Sequence, residues 1–433
     1  MKILKVIHGY PLRYNAGSEV YSQTLCQALA DDHEVHVFTR EENPFEEDFN
    51  LRQERDPDDD RICLHLINIP SEKFRYRYQH QEVDAQFAAL LEHLKPDIVH
   101  IGHLCHLSTS ILPVIAKKKI PIIYTLHDYW LMCPRGQFLQ RCSSTESELW
   151  QLCDGQDDRK CARQCYSGCY SGADAELKLD ENYWTDWVHR RMSHIRDIMP
   201  LVDYFIAPSQ YLLKRYYRDF GLPRDKLIYL DYGFHRTRFH SRKRVPDESF
   251  TFGYIGTHIP AKGIQHLIQA FSLLKGDCSL RIWGRHRPQS TEGLIALAKG
   301  CDTKKNTRIE WKGEYKNQNI TSDVFNHVDS IVVPSIWVEN SPLVIHEALE
   351  AQVLVITANA GGMAEYIQHE VNGLLFEHRN PNDLAKQMQY ALDHPQIIQK
   401  LRCKGYLQSK DGKISGLEDH KQAIIEIYQR VVA

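Results

Sequence analysis

The sequence predicts an α/β protein built from two doubly wound domains that face each other across a central cleft. Three observations carry this expectation. The chain has 433 residues, more than one hydrophobic core usually serves, and two units of about 200 residues fit the common domain sizes. Short apolar runs alternate with longer amphipathic stretches from the first residue onward, which is how strand and helix units lay down parallel sheets. The alternation breaks at 239–249, FHSRKRVPDES, where five charged residues and a proline replace the periodic pattern and an interdomain linker is expected.

In the first domain, 1–238, strands are predicted at Ile3–His8, Glu34–Thr39, Ile62–Ile69, Asp97–Gly102, Ile120–Leu126, Tyr204–Pro208 and Lys226–Leu230. A loop from Gly9 to Gly17 follows the first strand, and Ser18 is the expected cap of a helix running to Ala30. The acidic stretch Glu41–Asp60 reads as a solvated loop. In the second domain, 250–410, strands are predicted at Phe250–Ile255, Ser279–Trp283, Arg308–Trp311, Ser330–Pro334 and Leu354–Thr357. The final segment, 411–433, is expected to be a helix returning to the first domain.

Hydrophobic residues make up 42% and charged residues 25% of the chain, the balance of a folded globular protein. A net charge of −3 supplies no overall field favouring nucleic acid or an anionic bilayer. The amino-terminal MKILKVIHGY is patterned as a buried strand rather than a signal peptide, and no run reaches 18 apolar residues. A cytoplasmic protein is therefore expected. Basic segments at His189–Arg196 and Lys214–Arg218 read chiefly as solvated helix faces, with contact at the inner membrane face as the other reading.

The richest segment is 330–357, SIVVPSIWVENSPLVIHEALEAQVLVIT, which contains a strand, a loop, a helix and a strand. Ser341 suits an N-cap and Pro342 the first helical position, so the helix is expected to start at Pro342. Its first free amides, at Ser341, Leu343 and Val344, lie where parallel sheets bind ligands and would suit a diphosphate. Glu347, about 7.5 Å further along the axis, would reach ribose hydroxyls, and Glu339 in the loop would meet a sugar. Taken singly, each glutamate is more often an ordinary surface charge. Support comes from 252–271, FGYIGTHIPAKGIQHLIQAF, in which Lys262 precedes a helix opened by Gly263; an amine there neutralises phosphate and the glycine permits close backbone approach. Paired glycines in NAGGMAEYI, 359–367, mark another turn. No strand is followed by a dinucleotide-binding fingerprint, which argues against a dehydrogenase.

With these residues assembled, the chain resembles the retaining glycosyltransferases of family four, which have the GT-B fold of two Rossmann-like domains. The likeness rests on NAGSEVYSQTLCQAL at 15–29, TLHDYWLMCPRG at 125–136, GTHIPAKG at 256–263, and the glutamates at 339 and 347, in that order. It implies a transferase that moves a hexosyl group from a UDP- or GDP-sugar to a glycan, lipid-linked or small-molecule acceptor, with polysaccharide assembly the preferred setting. It assigns Gly17 to the donor diphosphate, His127 to the transferred sugar and Lys262 to the diphosphate. Glu339 and the amides of Asn340 and Ser341 that follow would hold sugar and phosphates, Glu347 ribose, and Gly313–Tyr315 would border the base. Many relatives carry arginine where this chain has Thr257, and Arg285 is the candidate substitute. No cofactor is needed on this reading. A sugar-nucleotide epimerase or hydrolase, and a non-catalytic sugar-nucleotide-binding protein, are the competing expectations.

Six of the 12 cysteines lie at 133, 142, 153, 161, 165 and 169 in an insertion spanning 133–170. The spacing of Cys161, Cys165 and Cys169 would align them on one helical face. Together with Cys153 they form a candidate structural zinc set, with free thiols and disulfides as the alternatives. Metal binding by His100, His103 and His106 is a weaker reading than acceptor contact or core hydrogen bonding.

Overall fold

The computed structural model describes residues 1–11, 13–69, 77–140, 150–167, 174–245, 247, 249–301 and 307–432, with the backbone alone at 174–178 and 307. The chain divides into two compact units, one formed by Met1–Phe234 with Ser415–Ala433 and the other by His235–Ile414.

The first unit holds β1 (Lys2–Val6), β2 (Glu34–Glu41), β3 (Leu51–Asp56), β4 (Asp59–Asn68), β5 (Ile98–Ile101), β6 (Ile122–Thr125), β7 (Tyr204–Ala207) and β8 (Leu227–Tyr229). They form one sheet in the order β3-β4-β2-β1-β5-β6-β7-β8. All neighbours are parallel except β3, which runs antiparallel to β4. The central strands form because their side chains are apolar on both faces, as strands covered by helices on either side must be. Leu4, Val6, Val37, Ile98, Val99, Ile101, Ile122 and Ile123 are all fully buried.

The stretch expected as a solvated loop, 41–60, contains β3. Several of its charges are paired: Arg52 bonds Glu41 through Nε at 2.6 Å and Nη2 at 2.7 Å, and Glu54 through Nη1 at 2.6 Å. Asp56 is buried and accepts a hydrogen bond of 2.8 Å from the Tyr10 hydroxyl. Neutralisation within the segment lets a polar edge strand form.

The helix Leu417–Val432 belongs to this unit. It packs on the helix Gly17–Leu29, with His420 Nε2 at 2.9 Å from the Tyr21 hydroxyl and the Tyr428 hydroxyl at 2.6 Å from His100 Nδ1. Gly233 allows the approach, since a Cβ there would lie 2.4 Å from the His420 Cβ.

The second unit holds β9 (Phe250–Ile255), β10 (Cys278–Trp283), β11 (Thr307–Gly313), β12 (Ser330–Val333), β13 (Leu354–Ala358) and β14 (Leu374–Phe376). The order is β11-β10-β9-β12-β13-β14, all parallel. Strand order therefore reverses between β9 and β12, the point at which open α/β sheets leave a crevice beyond their carboxyl ends.

The expected linker at 239–249 is, in its described residues, a strap on this unit. Phe239 is buried, and Arg242 donates to the carbonyls of Phe325 at 3.0 Å and Val328 at 2.9 Å. Arg244 pairs with Asp329 at 2.8 Å, and the Val245 amide bonds the Asn326 carbonyl at 2.7 Å. The charges that suggested an interdomain linker include Arg242 and Arg244, which are spent on backbone carbonyls and a carboxylate. Among the described residues, no helix is long and apolar enough to cross a membrane.

Candidate functional site

Two loops leave the β9–β12 crossover. The one after β9 runs through Gly256 and a short turn, Pro260–Lys262, to Gly263, whose φ of 73° opens the helix Ile264–Ser272. A Cβ on Gly263 would sit 1.9 Å from the Pro334 carbonyl oxygen. That glycine therefore lets the loop after β9 lie against the end of β12. The loop after β12 carries Glu339, Asn340 and Ser341 into the helix Leu343–Glu350.

Across these loops Lys262 Nζ bonds Glu339 Oε1 at 2.7 Å and stands 5.8 Å from the centre of the Trp337 ring. Glu339 is buried and also accepts a hydrogen bond from the Ser335 hydroxyl. Its carbonyl receives the Gly362 amide at 2.9 Å, and a Cβ on Gly362 would come within 1.2 Å of the Asn340 carbonyl oxygen. The paired glycines thus exist to let a third loop, after β13, close on the glutamate loop.

The helix begins at Leu343, with Pro342 in the cap position, one residue later than the sequence suggested. Ser341 does not cap it. Its hydroxyl instead accepts from the Tyr366 hydroxyl at 2.9 Å, a partner from another element that outcompetes the local backbone. The Ile345 amide bonds the Pro342 carbonyl at 3.1 Å, while among the described residues no acceptor is found for the amides of Leu343 and Val344, which carry the positive end of the dipole. A cation, a free helix tip and a carboxylate are therefore gathered at the crossover.

Glu347, one turn into that helix, is buried and paired with Arg238 Nη2 at 3.3 Å. Burial raises its carboxyl above the usual range, and Arg238 only partly opposes this. Tyr315 lies close enough that Glu347 adds to the rise of its phenol, which burial mainly causes. Arg238 was not singled out from sequence; its signal is the run HRTRF just after the first unit ends. Thr257 occupies the loop after β9, with its carbonyl accepting from Tyr254 at 3.4 Å and Ile259 at 2.9 Å. Arg285 follows β10, and its carbonyl receives the His258 amide at 3.1 Å, so Arg285 borders the same loop as Thr257.

In the first unit three histidines each stand two residues beyond a strand: His8 after β1, His103 after β5 and His127 after β6. His8 lies 3.4 Å from Glu19, and His103 lies 3.3 Å from Asp128. His127 Nδ1 is 2.7 Å from the Tyr232 hydroxyl, with the rings stacked at 5.8 Å. Burial holds His127 well below its ordinary value, with Lys5 and His103 acting in the same direction, so the ring is neutral at neutral pH. Gly17 is the first residue of its helix and is exposed. Ser18, expected as the cap, donates to Glu19 at 2.7 Å, and Ala16 takes the cap position. His100 lies within β5 and is spent in the core, between Tyr428 and Thr125.

Cys133, Cys153, Cys161 and Cys165 are free thiols, while Cys142 and Cys169 fall outside the described residues. Cys161 ends a short helix, Asp158–Cys161, and Cys165 lies in the following π-turn, Ala162–Tyr166. Both are packed among Tyr166, Trp184, Val188 and Met192. Burial pushes the Cys161 thiol up to about 12. The basic helix is also partly internal: Arg191 is buried, donates to the Trp130 carbonyl at 2.7 Å and lies 4.4 Å from that ring.

Comparison with solved structures defines the class. Sucrose-phosphate synthase from Thermosynechococcus elongatus superposes with a TM-score of 0.71 at 17% identity, covering 100% of this chain and 99% of its own. A glycosyltransferase from Rickettsia africae gives 0.67 at 16% identity, with 100% and 98% covered. The Anabaena protein HepE, solved with UDP and glucose, gives 0.66 at 15%, with 99% and 100% covered. These likenesses define a GT-B fold. The family model for Glycosyltransferase Family 4 matches residues 16–234, and that for Glycosyl transferases group 1 matches 235–408. The chain belongs to glycosyltransferase family 4.

Among curated proteins, an uncharacterised glycosyltransferase of Methanocaldococcus jannaschii is 27% identical over 143 residues, 33% of this chain and 35% of that protein. One of Haemophilus influenzae is 24% identical over 182 residues, 41% and 49% respectively. The chain thus spans between a third and a half of the length of these two relatives.

Proposed function

We propose that this chain transfers a hexosyl group from a nucleoside-diphosphate sugar, UDP- or GDP-linked, to a glycan or lipid-linked acceptor, with retention of anomeric configuration. The observation that carries the reading is the Lys262–Glu339 pair of 2.7 Å beside a free helix start, at the crossover of a parallel sheet. Lys262 is half-buried and its present partner is one carboxylate oxygen. An incoming diphosphate would take that amine, leaving Glu339 for sugar hydroxyls. Ligand binding in the similarly folded Anabaena protein, solved with UDP and glucose, supports the donor class.

In the reaction the bond from the anomeric carbon to the diphosphate oxygen breaks, and the acceptor oxygen bonds the same face of that carbon. The acceptor proton passes to the departing phosphate oxygen. Negative charge therefore grows on the diphosphate, and Lys262, the amides of Ser341, Leu343 and Val344, and Arg285 are the groups that would stabilise it. Charge already in place when the bond breaks needs no reorganisation, which is why such terms dominate catalysis. No metal is required by this scheme. Glu347 with Arg238 would read the ribose and Tyr315 would border the base. For the first unit, the family resemblance assigns Gly17 to the diphosphate and a neutral His127 to the sugar. Its exposed Lys214 and Arg218 would meet anionic headgroups when the acceptor is lipid-linked.

A thermal-shift screen against UDP, GDP, ADP and their sugars tests donor binding. A ligand at 100 times its dissociation constant should add about 2.7 kcal/mol of stability. NMR of the first-formed product tests retention. An inverted product overturns the mechanism, and altered nucleotide sugar released without acceptor would point to an epimerase or hydrolase instead.

A further inference from the structure

Away from the crossover loops, β2 and β4 bring together three side chains that the family assignment does not use. His36 registers opposite Cys63 in this parallel pair, so the two side chains share a face, and His65, two residues on, shares it too. His36 Nδ1 lies 3.0 Å from His65 Nε2, and Cys63 Sγ lies 3.7 Å from the same nitrogen. All three atoms are within 4.8 Å of one another, and no other trio of His, Cys, Asp or Glu groups among the described residues meets that condition. We propose that His36 Nδ1, Cys63 Sγ and His65 Nε2 bind a borderline divalent metal ion of the zinc type, with water in the fourth position.

The geometry suits that ion. Tetrahedral bonds of about 2.0–2.1 Å to nitrogen and about 2.3 Å to sulfur place neighbouring ligand atoms roughly 3.3–3.7 Å apart, so the Cys63–His65 separation of 3.7 Å already matches and the His36–His65 separation of 3.0 Å has to open by a few tenths of an ångström. A thiolate with two imidazoles selects zinc or a similar ion over magnesium or calcium, which take oxygen ligands. The far nitrogen of His36, Nε2, stands 3.0 Å from Glu34 Oε1, and a carboxylate behind an imidazole is the usual means of orienting a metal-binding ring. Cys63 and His65 are buried and His36 is half-buried, which leaves a path for the ion. Binding would release the Cys63 thiol proton to solvent and retain both imidazoles as neutral ligands.

His36, two residues into β2, also pairs with Leu4 of β1, while Cys63 and His65 lie in the middle of β4. The ion would thus clip β2 to β4 and act on stability. The test uses the full chain stripped with chelator and titrated with Co²⁺, then with Zn²⁺. The expected result is a sulfur-to-cobalt charge-transfer band that Cys63→Ser abolishes, and a rise in Tm with Zn²⁺. His36→Ala should bind Zn²⁺ at least about tenfold more weakly, and this half-buried site carries the test if Cys63→Ser fails to fold. A band unchanged in Cys63→Ser would assign the metal to the other cysteines and overturn the proposal. Equal affinity in His36→Ala, or no Tm response in the parent chain, would overturn it as well.

Discussion

Lys262 and Glu339 are 77 positions apart and meet at 2.7 Å, so either can be removed with a distinct consequence. Lys262→Ala deletes one preorganised charge, and losses of that kind cost about 10²–10³ in turnover. We expect kcat to fall by about two orders of magnitude in steady-state transfer assays, together with a lower Tm, because buried Glu339 loses its cationic partner and keeps the Ser335 hydroxyl. Arg285→Ala should act on the same step if this side chain replaces the arginine absent at Thr257. Among the described residues no hydrogen bond or ion pair is found for the Arg285 side chain, so its removal should weaken nucleoside-diphosphate binding measured by calorimetry and leave the fold intact. Unchanged affinity would remove Arg285 from the donor site.

At the scale of elements, glycines show which loops are held by close approach. Gly362→Ala would set a methyl 1.2 Å from the Asn340 carbonyl oxygen, forcing the Glu339 loop aside; overpacking of this type costs about 1–3 kcal/mol. Denaturant unfolding should report that loss together with weaker nucleotide binding. Gly293→Ala is the contrasting case. That glycine lies in the helix Pro288–Cys301 with nothing within 4 Å of an added Cβ, so alanine should stabilise by about 0.5–1 kcal/mol. Elements also differed in how far they could be read. Each strand predicted in the second unit exists, since short apolar stretches mark all five, although β10 and β11 also carry charges. Two strands were missed: β3, LRQERD, is a polar edge strand whose charges find partners only after pairing, and β14 is three residues long.

For the whole molecule, buried histidines set the response to acid. His65, His80, His378 and His420 are each pushed down to about 4, mainly by burial, and His8, His100 and His127 are held well below their ordinary value. The unfolded chain takes up these protons near pH 6.5, whereas the folded chain refuses those of the first four until about 4 and those of the other three until well below their ordinary value. Stability is therefore complete above about pH 6.5 and is lost as pH falls through that window, at up to about 1.4 kcal/mol per pH unit for each histidine. Glu19 and Glu347, raised by burial, oppose the trend because the folded chain holds their protons longer than the unfolded one. The histidines outnumber them. Tm should be nearly flat from pH 7 to 8 and fall steeply below about 6.5; a flat profile down to pH 5 would contradict this account.

Taken alone, the sequence determined the alternation of strand and helix, the loops that carry Lys262 and Glu339, and the glycines beside them, because each is written in neighbouring residues. It also carried the family motifs in order. Strand order decided the rest. The pairing of Lys262 with Glu339, of Arg238 with Glu347 across 109 positions, and of His36 with Cys63 and His65 arises only when the sheets form. Periodicity tells which face a side chain takes, but not which distant strand will lie beside it. The misplaced helix start has the same origin: Ser341 fits a cap by local preference, and a hydroxyl from Tyr366, 25 residues away, claims it in the folded chain.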